Sequence, residues 1–448
     1  DENEPVYVNL YGNINGRLEA NIHLRHRLSH HVSSMLLLHA MDLSAEHDRN
    51  NDGFLDMPFN RTFAAMNRWR YSYDAVEGQI TAGGSYRNST GGQVGFERGM
   101  DALTSDVYGV VVETKQAYLT WKNGLLFPES KFSTIGLIGS ARFFEMDAML
   151  GRTQYKGINR QLYFNSIYED ILGNTFHKFR TGLSFQLDDY RENLNDSAFN
   201  RTEFVPGAYF EYTFDNTHRT QVLLAGRVDY HNLYGLWVTP RMHARYNLNE
   251  QMVMRVSAGR GYRRPNAVAE NISYFASSRQ PVFGVVEPEV SWNAGGSLTW
   301  DFRLGKREGV VRLDYYHTWF ENQLVVNLEN PDFVEFDMLD GRSFSHAAQI
   351  DASYEVLRGL DLNVAYKYVY NQSTFDGLET DLPFVPRDRA LVNVAYETMN
   401  RIWKFDATVN FFGYARLPDT RQNAQEFRLK GHSDPYYLLN AQITKQFR

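Results

Sequence analysis

Polar and apolar residues alternate from Arg17 to Leu28. The odd positions are Arg17, Glu19, Asn21, His23, Arg25 and Arg27, and the even ones are Leu18, Ala20, Ile22, Leu24, His26 and Leu28. A period of two predicts a strand with one greasy and one wet face. At about 3.3 Å per residue the stretch spans ~40 Å, long for a soluble sheet and suited to a tilted strand crossing a bilayer. The same alternation returns in 403–411, where Trp403, Phe405, Ala407, Val409 and Phe411 oppose Lys404, Asp406, Thr408 and Asn410. It returns again in 348–356 and 292–302.

About twenty such strands are expected, running from Val6–Gly12 to Tyr437–Phe447. Connections alternate in length. Short turns are expected at 29–31, 74–78, 124–131, 215–218, 249–250, 305–309, 358–359 and around Asn400. Long polar loops are expected at 42–60, 88–106, 144–160, 188–203, 263–289, 327–345, 372–388 and 413–435. Outer-membrane barrels have short periplasmic turns and long external loops, which orients the chain. The pattern predicts an all-β fold: one large antiparallel transmembrane β-barrel, its charged face lining a polar lumen. A soluble barrel or sandwich would place that charged face outside. Strand length and turn asymmetry favour the membrane reading.

No run of eighteen apolar residues occurs, so no transmembrane helix is expected, which leaves a barrel open. The 30 Phe, 28 Tyr and 7 Trp fit aromatic girdles at two interfaces. Cysteine is absent, as suits an exposed, oxidising compartment. The 46 basic and 53 acidic residues are well mixed and argue against a nucleic-acid partner. The start Asp1-Glu-Asn-Glu has no leader and reads as a trimmed or mature start.

Asp48-Arg-Asn-Asn-Asp-Gly-Phe-Leu-Asp56 offers oxygens at alternate positions with glycine sixth, the spacing of a calcium loop. Its ligands would be Asp48, Asn50, Asp52, the Phe54 carbonyl and Asp56. Phe59 replaces the usual terminal glutamate, and a plain Asx-rich turn explains the segment as well. His23, His26, His30 and His31 cluster near a turn, where ordinary turn and interface histidines are favoured over a metal site. By parity Arg255 and Arg263 face the lumen, whereas Arg260 and Tyr262 face lipid or its headgroups. Arg255 and Arg263 suit an anionic chelate, although a lumen arginine more often pairs with carboxylates of protein filling the barrel. Tyr274, Phe275 and Phe283 could form an external ligand surface, with ordinary loop packing the favoured alternative. No nucleophile elbow, phosphate loop or HExxH motif appears, so no enzyme is expected.

Several stretches resemble TonB-dependent outer-membrane receptors of the Bacteroidetes type. They include Tyr7-Val-Asn-Leu-Tyr-Gly-Asn, Leu36-Leu-Leu-His39, Asn50-Asn-Asp-Gly-Phe-Leu-Asp56 and Arg255-Val-Ser-Ala-Gly-Arg-Gly-Tyr-Arg-Arg-Pro-Asn266. Pro288-Glu-Val-Ser-Trp-Asn293, Tyr315-Tyr-His-Thr-Trp-Phe-Glu-Asn-Gln-Leu-Val-Val326 and Leu438-Leu-Asn-Ala-Gln-Ile-Thr444 continue the likeness. The resemblance implies uptake of a scarce nutrient, such as a ferric siderophore, cobalamin or a metal chelate, energised through TonB. It implies a Gram-negative outer membrane, with its lipid and lipopolysaccharide as surroundings and a surface lipoprotein as a candidate partner. It also strengthens the calcium reading, because cobalamin receptors hold calcium in an external loop. Two departures stand out. Residues 1–448 read as barrel alone, without the family's N-terminal plug, and about twenty strands are found where 22 are expected. Two other functions fit a bare barrel: a structural platform in a surface complex, and a passive porin.

Overall fold

The computed structural model describes residues 5–127, 129, 130, 132–375 and 377–447. The expected turn at 124–131 therefore lies partly outside the described residues. The first strands are β1 (Val6–Gly12), β2 (Arg17–Arg27), β3 (Val32–Leu43), β4 (Phe59–Ser72) and β5 (Val76–Gly92). Next come β6 (Gly109–Leu126), β7 (Thr134–Leu150), β8 (Thr153–Leu172), β9 (Asn174–Leu194) and the two-residue β10 (Ser197–Ala198). The middle holds β11 (Arg201–Asp215), β12 (Thr220–His231), β13 (Gly235–Asn247), β14 (Met252–Arg263), β15 (Gln280–Phe283), β16 (Glu289–Leu304) and β17 (Arg307–Asn322). The chain ends with β18 (Leu324–Asn327), β19 (Phe333–Met338), β20 (Ser343–Leu357), β21 (Leu360–Phe375), β22 (Leu378–Asp381), β23 (Asp388–Glu397), β24 (Trp403–Phe412) and β25 (Tyr436–Lys445).

One antiparallel sheet holds 22 of these strands. β10 and β22 are short additions at its rim, so twenty strands form the wall, each paired with its neighbour along the chain. Among the described residues β1 pairs only with β2, and β25 only with β24. β15, β18 and β19 form a separate three-stranded sheet.

The apolar residues of the wall do not meet in a dry interior. Leu119, Leu162, Leu183, Leu224, Leu313 and Ile350 are each 42–63% exposed and share one face. Their polar neighbours point the other way and bond across strands: Asn21 accepts from His39, and Asn393 donates to Asp406. Glu19 and Asp406 thus line the inside. Exposed apolar bands of this size belong against lipid. On the same outward face Trp292, His317, Trp319, Phe344, His346 and Tyr370 stack from strand to strand, with the Trp292 and Trp319 rings 6.0 Å apart. This is an aromatic girdle, placed where amphipathic rings are favoured.

Two expected loops are strands. β7 and β8 run through 144–160 and turn at Gly151-Arg152, with Gly151 at a φ of 61°. β9 and β11 take up most of 188–203. The reason is a reversal of polarity at fixed parity. Above Leu119 and Phe143 the outward positions become Lys115, Glu113, Glu145 and Asp147, while the inward ones become Val110, Val112, Met146, Ala148 and Leu150. The strands continue past the lipid, so the greasy face moves to the inside and the sequence signal inverts.

Candidate ligand-binding mouth

That inverted face is covered by the chain's own loops. The segment after β14 forms a short 3-10 stretch, Ala269–Ala276, and leads into β15. With β18 and β19 it makes one apolar cluster against the tops of β6–β9. Phe275, Val334 and Phe336 are at most 1% exposed there, packed with Ala148, Leu150, Tyr155 and Leu194. The Phe283 and Phe336 rings stack at 4.9 Å, and Phe199 meets Phe283 edge-on at 4.9 Å. Two tyrosines outside the strands fasten this cap to the wall. Tyr108, just before β6, donates to the Ala276 carbonyl. Tyr234, in the β12–β13 turn, donates to the Val286 carbonyl at 3.2 Å. Burial pushes both phenols above their ordinary range, so both stay neutral donors.

Beneath the cap lies a buried ionic network. Glu192, 2% exposed, accepts from the Tyr155 hydroxyl at 2.8 Å, Arg201 Nη1 at 2.7 Å and Asn266 Nδ2 at 3.0 Å. Arg201 also donates to Glu203 at 2.7 Å and lies over the Tyr190 ring at 3.8 Å. Glu203 accepts from Arg264 at 3.2 Å, with buried His231 3.7 Å away. Wall residues and loop residues therefore share one charge-balanced knot. Other outer segments interlock in the same way: Arg416 pairs with Glu329 at 2.7 Å, Arg387 grips Asp381 by two bonds of 2.7–2.8 Å, and Arg279 donates to the Leu328 carbonyl at 2.9 Å. The Asp381 carboxylate beside Arg387 raises that guanidinium further.

The four candidate ligand residues separate. Arg255 faces the lumen, between Arg245 and Ser297, and donates to Thr299 at 3.3 Å. Arg263, 57% exposed, is held by Glu289 at 2.6 Å and Glu270 at 2.9 Å at the base of the cap. Tyr274 is half-buried beside the apolar cluster, and Phe275 lies inside it. Tyr262 departs from its expected lipid-facing place. It stacks on Trp237 at 4.8 Å and bonds Asp229, which is 3% exposed. β13 and β14 pair only as far as Arg241 and Gly259, so above that point the edge of β14 facing β13 is open, while its ladder with β16 runs on to Arg263. Arg260 pairs with Glu321 at 2.7 Å, beside the girdle residue Trp292.

The 48–56 segment is a tight oxygen-rich turn. The Asp48 carboxylate accepts the amides of Asp52 and Gly53 at 3.2 and 3.1 Å. Asp52 accepts the Phe54 amide at 2.8 Å and the Asn50 side chain at 2.9 Å, while Asp56 accepts the Arg49 amide at 2.9 Å. Gly53 takes the required left-handed φ of 81°. Among the described residues no three His, Asp or Glu side chains converge as a metal cluster. His23 packs at a tilt against the Tyr7 ring, 5.1 Å away, and His31 bonds the Ser72 carbonyl at 2.9 Å. Glu192, Arg201 and Glu203 escaped the sequence reading because 188–203 was expected to be a loop. The signal was there: Asp188, Tyr190 and Glu192 continue the polar face opposite Leu183, Phe185 and Leu187.

A twenty-strand wall with a lipid-facing apolar band, a polar interior and an interlocked cap defines an outer-membrane receptor barrel. The chain belongs to the family described as TonB dependent receptor-like, beta-barrel, which matches residues 38–448. Members of this family are receptors and transporters of the Gram-negative outer membrane that work with TonB and a plug. Among solved structures, the chain resembles a mutant of the ferric enterobactin receptor PfeA from Pseudomonas aeruginosa, with a TM-score of 0.73 at 11% identity over 99% of this chain and 72% of that one. The ferric-catecholate import receptor Fiu from K12 E. coli gives 0.71 at 10% identity, over 97% of this chain and 74% of that one. FpvAI in its complex with pyocin S2 gives 0.70 at 12% identity, over 99% of this chain but only 64% of that one. No curated protein matches the chain at the sequence level.

Proposed function

We propose that this barrel captures a bulky, scarce chelate at its capped mouth, of the ferric-siderophore or cobalamin class, and admits it under TonB drive. The observation that supports this is the cap itself. Loops from β14–β16, β17–β20 and β24–β25 are joined to one another by Arg279–Leu328 and Arg416–Glu329, and to the wall by Arg264–Glu203. A passive pore gains nothing from such a cover, whereas a selective receptor needs loops that hold one shape. Arg255 and Arg263 would meet an anionic ligand from the lumen side and the cap base respectively. Tyr274 and, once the cap opens, Phe275 would supply its apolar contacts. The reading extends to a Bacteroidetes-like outer membrane, with lipopolysaccharide around the girdle and a surface lipoprotein as cover. A strain lacking the gene should grow more slowly on limiting iron or on limiting cobalamin and recover with a plasmid copy. Unchanged growth under both limits sinks the importer reading and leaves the platform. Ion conductance through the intact receptor would instead favour the porin.

An accessory cation at 48–56 is a separate proposal. Asp48, Asn50, Asp52, the Phe54 carbonyl and Asp56 would hold Ca2+ with the ~10⁻⁴–10⁻³ M affinity of extracellular sites, since the closing bidentate glutamate is missing. Chelator should speed protease cutting of this loop in the wild type and make no difference in Asp52→Ala. Equal cutting of the wild type with and without chelator removes calcium from the account.

A further inference from the structure

Among the described residues one histidine is fully buried, and it sits inside the knot that holds the cap. His231 ends β12 and is 4% exposed. Register sets Ala225 level with Arg241, Gly259 and Asn293, next to the girdle's Trp292. His231 lies six residues further out on the same strand, roughly 20 Å away, clear of the lipid. Its Nδ1 accepts the Leu233 amide at 3.2 Å, so that nitrogen carries no proton. Its Nε2 faces Glu203 at 3.7 Å. The ring packs at a tilt against Tyr234, 4.9 Å away, whose hydroxyl holds the Val286 carbonyl of the cap. Glu203 holds Arg264 at the base of the cap. One imidazole thus touches two of the fastenings between wall and cap.

We propose that His231 is an acid-sensitive latch: the neutral imidazole keeps the cap shut, and a proton on Nδ1 releases it. Two features of the geometry carry this. A proton would turn Nδ1 from acceptor into donor, aimed at the Leu233 N–H, so the turn that carries Tyr234 would have to open. The second feature is charge balance. Around His231, Glu192 of β9 and Glu203 of β11 are matched by Arg201 of β11 and by Arg264 at the cap base, and Asp229 of β12 is matched by Arg227. Glu287, next to Val286, is exposed to solvent. A protonated His231 would be a surplus cation in a buried place whose carboxylates are already engaged. Burial itself lowers the imidazole below its ordinary range. The closed cap resists the proton and the open cap does not. Closure is therefore complete above the free imidazole value of about 6.5 and is lost as pH falls below it. The latch stands on the contacts of the cap and does not depend on what the barrel imports.

The test reads the mobility of the cap directly. The chain has no cysteine, so Ser278→Cys, exposed within the cap, takes a single nitroxide. The protein is folded in neutral detergent, with folding followed by heat-modifiable gel mobility. At pH 8 the spin-label spectrum should be mainly restrained. At pH 5 the ratio of mobile to restrained label should rise at least fivefold, and it should fall back on return to pH 8. His231→Asn, whose oxygen can stand near the place of Nδ1, and His231→Gln should remove the rise. His432→Asn, at an exposed histidine of the β24–β25 loop, should keep it. A rise that persists in both folded His231 variants overturns the proposal, since Glu192 or Glu203 would then be the titrating group. A wild-type spectrum that is the same at pH 5 and pH 8 overturns it too, as does a rise that fails to reverse, which is acid unfolding. A cap already loose at pH 8 in both variants also overturns it, because packing and not the proton would then be the hold.

Discussion

Two arginine-rich regions share the inner wall and behave in opposite ways. Near the mouth, Arg201 and Arg264 are 12% and 18% exposed, and each reaches a carboxylate of its own chain. Near the short turns, Arg25, Arg27 and Arg70 stand exposed without one. The first region has satisfied its charges internally, so its energy goes into holding loops to wall. The second leaves its cations without a carboxylate, and Arg27 donates only to the Ser29 and His30 carbonyls. Charge count alone would treat the two alike. Pairing and burial separate structure from recognition.

The sharpest way to break this contrast is at Glu192. Glu192→Ala leaves buried Arg201 with Glu203 alone and takes the acceptor from Tyr155 and Asn266. Removing one partner of a buried pair costs about 3–5 kcal/mol. Urea should unfold the outer end earlier, and protease should cut within 264–288 much faster. Unchanged cutting would mean the knot does not hold the cap. Phe275→Ala attacks the same cap through packing alone. Deleting a buried phenylalanine costs about 3–5 kcal/mol where the site cannot collapse, and half-buried neighbours such as Tyr274, able to shift into the space, should put this case near the lower end. It should loosen 264–288 without altering the salt dependence of cutting, whereas the loss at Glu192 should deepen at low salt. Arg263→Gln comes next. Its guanidinium is 57% exposed, so solvent screening limits its two bonds to ~1 kcal/mol or less. Cap proteolysis should barely change, while the substrate concentration giving half-maximal uptake should rise severalfold. If uptake stays normal, Arg263 belongs to the scaffold and the chelate makes its contacts elsewhere.

The wall was legible in the sequence because lipid imposes a strict code. Twenty strands, their parity and most short turns follow from alternation, and Leu18, Phe405 and Val409 do face outward. The code holds only where lipid is. Above it, Met146, Ala148 and Leu150 keep the parity of the polar face but pack against loops, so the strands were mistaken for loops. Asp188, Glu192 and Glu203 were hidden by the same error. Glu203, the carboxylate that pairs with Arg264, lies 61 residues away in sequence, and no local pattern signals such long-range pairing. Arg263 and Phe275 lie at the capped end, and their neighbours, Glu270, Glu289 and Phe336, could be assigned only from the fold.

The smallest effect on stability is expected where sequence reading would fear the largest. Neutralising Arg70 and Lys122 together removes two charges from one rung of the wall. Neither holds an ion pair, both are exposed, and their strands are fixed by backbone ladders that do not depend on them. The urea midpoint of the isolated chain should therefore stay where it is, and like-charge relief could raise it slightly. The same double change at the mouth, Arg201→Gln with Arg264→Gln, should lower it, because Glu192 and Glu203 would be left buried and uncompensated. Side by side, the two midpoints decide the contrast. If both pairs of changes destabilise alike, the lower patch is held by internal contacts after all.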